Sequence, residues 1–444
     1  MKKDILHLKA PGNWINDPNG FIYYQGKYHL FYQYHPYAPV WGTMHWGHAV
    51  SEDLVHWEHI GIALSPSIDE DMDGCFSGSA LEREGKLSLY YTGIRYVESN
   101  VRGVKTEDKY FLSSQLMITS EDGIHIDNSS GKRVIVPVIE DEELGDRKET
   151  RDPKVWEENG RFYMVLGSTY RGEEGRLLFY TSKDAVKWAY TSQFRSRRFG
   201  NMLECPDIFR IGEECVFIGS PMGMNDNTVG YTQHAICMTA TFEPETCSLT
   251  LSEDWQYVDY GMDLYAPQTN IDKDGNRVMI AWMRMPKAVE GNDGYPWNGM
   301  MCMPRVVEVF HGHIYFRVHP EVEGKFSQEV EIKEGNIPVS EGIPYRIKTS
   351  LEEGDTLDIG GYRICREGNV LRTDRSEVFS GIAGHQMISS TPELPKECRL
   401  DIFVEPNLIE VFINEGEYVI SNVVYGLTDY IEGKVEKVWR FDTK

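Results

Sequence analysis

The stretch Gly26-Lys-Tyr-His-Leu-Phe-Tyr32 decides the fold, because its pattern of a glycine followed by an apolar strand recurs four more times. The other copies are Gly85-Lys-Leu-Ser-Leu-Tyr-Tyr91, Gly160-Arg-Phe-Tyr-Met-Val-Leu166, Gly212-Glu-Glu-Cys-Val-Phe-Ile218 and Gly275-Asn-Arg-Val-Met-Ile-Ala-Trp282. Irregular repeats of this size are typical of propeller blades, each of which is one small sheet. Five copies therefore predict a β-propeller with five blades.

A second repeated element supports this interpretation. Its copies are Ser51-Glu-Asp-Leu-Val-His-Trp57, Ser120-Glu-Asp-Gly-Ile-His-Ile126 and Ser182-Lys-Asp-Ala-Val-Lys-Trp188. Each offers polar turn residues followed by an apolar anchor, which predicts a turn leading into an outer strand. Long segments of helical period are absent, so the chain is predicted to be almost all β.

The pattern of strands changes after the fifth repeat. We predict a catalytic propeller domain over residues 1–317, a linker over residues 318–325 and a β-sandwich domain over residues 326–444. The sandwich prediction rests on short strands separated by turns, such as Cys398-Arg-Leu-Asp-Ile-Phe-Val404 and Leu408-Ile-Glu-Val-Phe-Ile413.

Composition narrows the class of partner. The 444 residues carry 69 acidic and 45 basic side chains, giving a formal charge of −24, which disfavours a nucleic-acid partner. No apolar run approaches a membrane span, and Met1-Lys-Lys-Asp-Ile-Leu-His-Leu-Lys-Ala10 lacks the apolar stretch of a secretory signal. Eight cysteines without paired spacing read as free thiols. We therefore expect a cytoplasmic protein with a small neutral substrate, and the sequence leaves homo-oligomerisation open.

Three acidic residues occupy matching places in the repeats. Asp17, Asp152 and Glu204 each stand eight or nine residues before the glycine that starts a repeat strand. Since equivalent positions of successive blades face one axis, these carboxylates are predicted to meet in one pocket. Cleavage of a glycosidic bond needs one carboxylic acid and one carboxylate. Acids without clustered His or Cys thus favour glycosyl transfer over metal or acyl chemistry, and no metal or other cofactor is expected.

Several longer motifs make the chain resemble glycoside hydrolase family 32, the family of invertases, fructanases and sucrose-6-phosphate hydrolases. These motifs are Trp14-Ile-Asn-Asp-Pro-Asn-Gly20, Phe31-Tyr-Gln-Tyr-His-Pro36, Trp46-Gly-His48, Phe76-Ser-Gly-Ser79, Arg151-Asp-Pro153, Glu204-Cys-Pro-Asp207, Asp263-Leu-Tyr-Ala-Pro-Gln268 and Ile280-Ala-Trp-Met283. The resemblance covers nearly the whole chain and implies a five-bladed propeller followed by a β-sandwich.

The resemblance also implies roles for particular residues. Asp17 would be the nucleophile, Glu204 the acid and base, and Asp152 the residue that holds fructose hydroxyls. The fructosyl unit would be surrounded by Asn16, Gln33, Trp41, Phe76, Ser77, Arg151 and Trp282. The implied activity is retaining hydrolysis that releases β-D-fructose from the non-reducing end of sucrose and short fructo-oligosaccharides.

Alternatives stay open at this point. A sucrose-6-phosphate hydrolase would use the basic run Arg195-Ser-Arg-Arg198 if that run reached the pocket mouth, and a non-catalytic fructan-binding propeller belongs to a different class. The sequence decides neither β-2,1 against β-2,6 linkage preference nor transfer against hydrolysis.

Three other features carry structural expectations. Asp69-Glu-Asp-Met-Asp-Gly74 resembles the start of a calcium loop but lacks the closing glutamate, so we expect an acidic turn. His45 and His48 are expected to pack or hydrogen-bond rather than bind metal. Because Arg151 and Asp152 are adjacent, we also expect the guanidinium to hold Asp152 ionised.

Overall fold

The computed structural model of the protein describes residues 3–97, 111–224, 231–291, 294–331 and 342–442. Almost all regular structure in these residues is β-strand, and the strands form seven sheets. Five sheets make up a propeller and two make up a sandwich, which confirms the predicted fold class. In the described residues no helix is long and apolar enough to cross a membrane.

The propeller strands follow in chain order. The first sheet contains β1 (Lys3–Ile5), β2 (Asn13–Tyr24), β3 (Lys27–His35), β4 (His45–Ser51) and β5 (His56–Leu64). The second contains β6 (Gly74–Arg83), β7 (Lys86–Tyr96), β8 (Phe111–Ser120) and β9 (Arg133–Val136). The third contains β10 (Arg151–Glu158), β11 (Arg161–Tyr170), β12 (Glu174–Ser182) and β13 (Ala189–Ser196).

A 3₁₀ turn, Arg197–Phe199, precedes the fourth sheet, with β14 (Met202–Ile211), β15 (Glu214–Met222), β16 (Ile236–Glu243), β17 (Ser248–Leu251) and β18 (Gln256–Tyr257). The remaining propeller strands are β19 (Leu264–Ile271), β20 (Arg277–Met283), β21 (Val289–Glu290), β22 (Pro296–Asn298), β23 (Met300–Met301), β24 (Arg305–Phe310) and β25 (His313–Val318). Of these, β21 and β22 join the first sheet and the others form the fifth.

The first strands of the five sheets line the propeller axis. Strands β2, β6, β10, β14 and β19 contact one another in a closed ring. In addition, β22, from the fifth repeat, pairs in parallel with β2, and this pairing joins the last blade to the first. Residues far apart in the chain are thereby brought to one axis.

The repeated glycines lie in the turns between the first two strands of the blades. Gly26, Gly85 and Gly160 have φ of 84°, 76° and 75°, and the residue before each also has positive φ. Two successive positive φ values are typical of the type I′ turn, whose twist matches that of paired strands. The glycine pattern therefore sets the first hairpin of these blades.

The repeated Ser-x-Asp elements are turns of one kind. Asp53 Oδ1 accepts hydrogen bonds from two backbone N–H groups, two and three residues further on, and Asp122 and Asp184 do the same. Each turn follows the strand that is third from the axis in its sheet, and leads toward the outer strand, as predicted.

Each innermost strand also carries a bulge at the same height. The register with the second strand shifts between Ile15 and Pro18, Cys75 and Gly78, Arg151 and Lys154, Glu204 and Asp207, and Tyr265 and Gln268. Two residues of the inner strand are left unpaired at each shift, and bulges re-aim side chains. The predicted acids lie in or beside three of these bulges.

A one-turn helix, α1 (Pro320–Glu323), leads to the sandwich. Its strands are β26 (Gln328–Glu329), β27 (Tyr345–Ser350), β28 (Thr356–Ile359), β29 (Tyr362–Glu367), β30 (Val370–Asp374), β31 (Ile388–Ser390), β32 (Arg399–Glu405), β33 (Leu408–Ile413), β34 (Tyr418–Val423), β35 (Ile431–Gly433) and β36 (Lys437–Arg440). Sheets of six and five strands enclose an apolar core that includes Ile347, Leu357 and Val411.

A buried ionic network joins the sandwich to the propeller. His7 lies between Glu405 and Glu410, with nitrogen–oxygen distances of 3.0 and 2.8 Å. Arg305 Nη2 lies 2.7 Å from Glu410 Oε2 and 2.9 Å from Asp259 Oδ2. Because every member is buried and paired, the two parts of the chain are fixed together by charges as well as by apolar packing.

Candidate active site

All ten residues predicted for the site line one cavity of about 530 Å³ at one end of the propeller axis. They come from the N-terminal halves of the inner strands and from the loops and neighbouring strands at that end. The cavity lies where the bulges turn side chains toward the axis. Three carboxylates on three different strands are therefore gathered as the repeats predicted.

Asp17 is held at both of its oxygens. The Ser77 hydroxyl donates to Oδ2 at 2.5 Å, and the Asn16 amide donates to Oδ1 at 3.1 Å. Burial raises the pKa of Asp17, and the charge of Glu204 adds to this, whereas the Ser77 and Asn16 hydrogen bonds act in the opposite direction. The two donors thus favour the ionised form of the carboxyl, against the effect of burial.

Asp152 is supported by backbone rather than by a cation. Its Oδ2 accepts from the backbone N–H of Cys205 at 2.9 Å, and the Cys205 thiol lies 3.6 Å from the same oxygen. The thiol also lies 3.7 Å from Asp17 Oδ2, so it bridges the two carboxylates. Burial raises the pKa of Asp152 to about 7, against the effect of Arg151. Burial also raises the pKa of the Cys205 thiol, which keeps it a neutral packing group.

Glu204 is the carboxylate that Arg151 binds. Oε1 accepts from Arg151 Nε at 3.1 Å and Nη2 at 2.9 Å, and Oε2 accepts from the Tyr265 hydroxyl at 2.5 Å. The remaining guanidinium nitrogen, Nη1, bonds Glu149. Arg151 thus favours the ionised form of Asp152 by its charge alone, and burial outweighs it, so the expectation that Arg151 keeps Asp152 ionised is wrong. The guanidinium itself bonds Glu204 on the neighbouring inner strand.

The predicted sugar-contacting residues form the walls. Trp41 and Phe76 meet edge to face with centroids 5.9 Å apart, and Trp282 packs in the same way against Trp14 at 5.7 Å. Gln33 donates to the Cys75 carbonyl at 3.1 Å. Apolar rings with a few fixed polar groups are typical of small-molecule pockets.

Sequence reasoning missed six lining residues: Tyr96, Phe111, Lys148, Glu149, Met222 and Tyr265. A signal for one of them was present. Tyr265-Ala-Pro267 occupies the place in its repeat that Glu204-Cys-Pro206 occupies in the previous one, so aligning the bulges would have found Tyr265. The other five lie outside the inner strands, in segments whose positions the repeat spacing does not predict.

The remaining sequence expectations have clear outcomes. Asp71 of the acidic turn is paired with buried Lys132 and accepts from the Tyr91 hydroxyl at 2.7 Å. His48 Nε2 lies 3.0 Å from His29 Nδ1, as expected for a hydrogen-bonding residue. Among the described residues, no group of three His, Cys, Asp or Glu side chains could hold a metal ion.

The basic run lies away from the cavity. Arg195 stacks on the ring of Tyr170 at 4.2 Å, and Arg198 donates to the Ser252 carbonyl at 2.9 Å. Neither lines the cavity, whose cations within the described residues are Lys148 and Arg151. The condition on which this run would bind a phosphate, that it reach the pocket, is therefore not met.

The chain is similar to known proteins over most of its length. Residues 7–320 match the family described as Glycosyl hydrolases family 32 N-terminal domain, and residues 352–437 match Glycosyl hydrolases family 32 C terminal. A sucrose-6-phosphate hydrolase from Escherichia coli is 33% identical over 440 residues, covering 95% of this chain and 88% of that protein.

Two solved structures share the architecture. Sucrose-6-phosphate hydrolase from Lactobacillus gasseri has a TM-score of 0.86 and 25% identity, covering 99% of this chain and 93% of its own. A beta-fructofuranosidase from Bombyx mori has a TM-score of 0.83 and 28% identity, covering 99% of this chain and 94% of its own.

Proposed function

Since the chain belongs to glycosyl hydrolase family 32, we propose that it is a retaining β-fructofuranosidase that releases β-D-fructose from the non-reducing end of sucrose and short fructo-oligosaccharides. The observation that carries the proposal is the meeting of Asp17, Asp152 and Glu204 in one cavity. This arrangement supplies the two carboxyl groups that glycoside cleavage needs, with a third to hold the sugar.

In the first step, an Asp17 oxygen attacks the anomeric carbon of fructose while the Glu204 carboxyl gives its proton to the leaving glycosidic oxygen. Ser77 and Asn16 hold the attacking carboxylate in place. In the second step, Glu204 takes a proton from water, which then breaks the fructosyl–Asp17 bond. Double displacement of this kind retains configuration, and it requires Asp17 and Glu204 carboxyls at about 5 to 5.5 Å.

Asp152 has a separate role in this scheme. With its Oδ2 fixed by the Cys205 N–H, it can accept hydrogen bonds from fructose hydroxyls. Trp41, Phe76 and Trp282 would enclose the apolar faces of the sugar. The proposed domain division, with residues 1–317 carrying the chemistry, fits the origin of all ten residues in the propeller.

A sucrose-6-phosphate hydrolase is the second candidate, and one observation favours it. Lys148 lines the cavity, its Nζ 2.9 Å from Glu149 Oε1 and 4.8 Å from the centroid of Phe111. An ammonium at this place could bind a phosphate on the leaving sugar. The charge of the cavity argues against this second candidate. Its lining holds four carboxylates and two cations, Lys148 and Arg151, and an excess of negative charge disfavours a dianionic substrate.

The decisive experiment measures initial rates of fructose release from sucrose and from sucrose 6-phosphate, with Asp17→Asn as the blank. Faster release from sucrose supports the first proposal, and a strong preference for the phosphate supports the second. If Lys148 binds phosphate, Lys148→Met lowers kcat/KM about tenfold for the phosphorylated substrate alone, while Lys187→Met on an outer turn changes neither. Absence of activity on both substrates and on fructans would favour a non-catalytic binding propeller.

A further inference from the structure

A second cavity, of about 540 Å³, opens at the opposite end of the propeller axis. Every inner strand contributes to it from the part that follows its bulge: Ile22, Leu81, Val155, Ile208 and Ile271. The site residues Asp17, Asp152 and Glu204 come earlier in the same strands. The two cavities therefore lie at the two ends of the propeller axis, and they are nearly equal in volume.

The ring of bulges separates the two cavities. Pro18, Gly78, Pro153, Pro206 and Pro267 line the space between them, which measures only about 10 Å³. A space of this size holds at most about one water molecule. A ligand in the second cavity would consequently have to enter from its own side of the propeller.

Two cations lie at the floor of the second cavity, one of them buried and the other half-buried. Lys154 and Arg277 both line it, while Asp207, the carboxylate beside them, lines the ring behind it. Lys154 Nζ lies 3.0 Å from Asp207 Oδ2, and this oxygen also accepts from the Thr269 N–H and hydroxyl. Asp207 is therefore the ion-pair partner of Lys154, whose Nζ also donates to the Thr269 carbonyl.

Arg277 has no carboxylate of its own. Among the described residues it forms no ion pair, and its guanidinium bonds the Thr269 hydroxyl at 3.5 Å and packs over the Phe209 ring at 4.8 Å. Burial lowers the pKa of both Lys154 and Arg277, which shows that their surroundings disfavour the charge. An anion placed against them would relieve this cost.

The other charged residues of this cavity are either bonded to a neighbour or exposed. Arg210 and Glu158 pair with each other at 2.9 Å, and Asp272 bonds His319. Glu82 and Glu157 are exposed, so water and salt screen them. Tyr23, Trp156, Phe209 and Phe242 give the walls an aromatic, apolar character.

We propose that this cavity is a second ligand site, which binds a small organic anion by its charged group at Lys154 and Arg277 and by its apolar body at the aromatic walls. The site is independent of the sugar-cleaving pocket, since the ring of bulges lies between them. Binding there requires no change in the residues that contact fructose.

The test uses 4-fluorobenzoate as the probe and uncharged 4-fluorobenzamide as its matched control, observed by ¹⁹F NMR with the full-length protein. We expect saturable binding of the benzoate in the millimolar range, with the benzamide and the Arg277→Met protein each about tenfold weaker. Excess fructose should not displace the probe, and Arg277→Met should hydrolyse sucrose at the parent rate.

Two results would overturn the proposal. One is no saturable binding of 4-fluorobenzoate to the parent protein, which needs no variant to interpret. The other is binding that fructose abolishes and that Arg277→Met and the milder Arg277→Gln leave unchanged, which would place the anion in the catalytic cavity beside Arg151.

Discussion

Removing the Ser77 hydroxyl should move the pH dependence of the reaction, because Ser77 donates a 2.5 Å hydrogen bond to the proposed nucleophile. A hydrogen bond to a charged group contributes about 1.5 to 3 kcal/mol, and about 1.4 kcal/mol corresponds to tenfold in an equilibrium. Burial already raises the pKa of Asp17. Losing the donor raises it further, so a higher pH is needed to ionise the nucleophile.

The expected result for Ser77→Ala is an acidic limb of kcat/KM that lies about 1 to 2 pH units higher than in the parent. Rates measured from pH 4 to 8 with sucrose would show a large loss at low pH and a smaller one on the plateau. Ser79→Ala is the matched control, because Ser79 lies in the same strand but bonds the Pro153 carbonyl at 2.7 Å rather than a catalytic acid. An equal loss at every pH in Ser77→Ala would refute the electrostatic reasoning and leave Ser77 only a positioning role.

Three further changes test other contacts. Tyr265→Phe removes the 2.5 Å hydrogen bond to Glu204 and should lower kcat about tenfold without moving the thermal midpoint, whereas Tyr362→Phe in the sandwich should leave kcat unchanged. Lys132→Met leaves Asp71 buried without its cation and should cost about 3 to 5 kcal/mol of unfolding free energy in urea titrations, and an unchanged midpoint would contradict the buried pairing. Glu410→Gln should destabilise by a similar amount, and exposed Glu415→Gln should not.

The interdomain network also fixes the sign of a pH effect. Burial raises the pKa of Glu410, but Arg305 and His7 outweigh this and lower it to about 2 from an ordinary value of 4.5. A carboxyl whose pKa is lower in the folded than in the unfolded protein stabilises the fold at pH values above its unfolded-state pKa. This stabilisation is lost as the pH falls through its folded-state pKa. Acid destabilisation of the parent between about pH 4.5 and 2 should therefore be weaker in Glu410→Gln.

The sequence predicted positions along the axis but not the partners of individual side chains. Asp17, Asp152 and Glu204 were placed correctly in the pocket because repeat spacing fixes the height of a residue on its inner strand. Spacing says nothing of rotamers. Arg151 and Asp152 are adjacent in the chain and line the same cavity, because the bulge interrupts the alternation of the strand, yet the guanidinium bonds Glu204 on the neighbouring inner strand.

Side-chain contacts between distant segments could not be predicted either, because repeat spacing does not say which residues meet. Lys154 looks like an ordinary strand lysine, and only the closed ring brings it to Asp207 and Arg277. His7 likewise precedes the first motif and gives no signal of its own. Its two carboxylate partners lie in the sandwich, about four hundred residues away, as the sequence separations of 398 and 403 show.

The three acids are supported by three different kinds of donor, and this difference bears directly on a double-displacement reaction. Asp17 receives a hydroxyl and an amide, Asp152 a backbone N–H, and Glu204 a guanidinium and a phenol. Three carboxyls sharing one donor set would compete for the same protons, since neighbouring anions disfavour each other's charge. Apart from the Cys205 thiol, which lies near both Asp17 and Asp152, the donors differ, and this allows one carboxyl to attack, another to exchange protons and a third to bind hydroxyls. The bulges make this division achievable, because each inner strand presents a different pair of side chains at the same height on the axis.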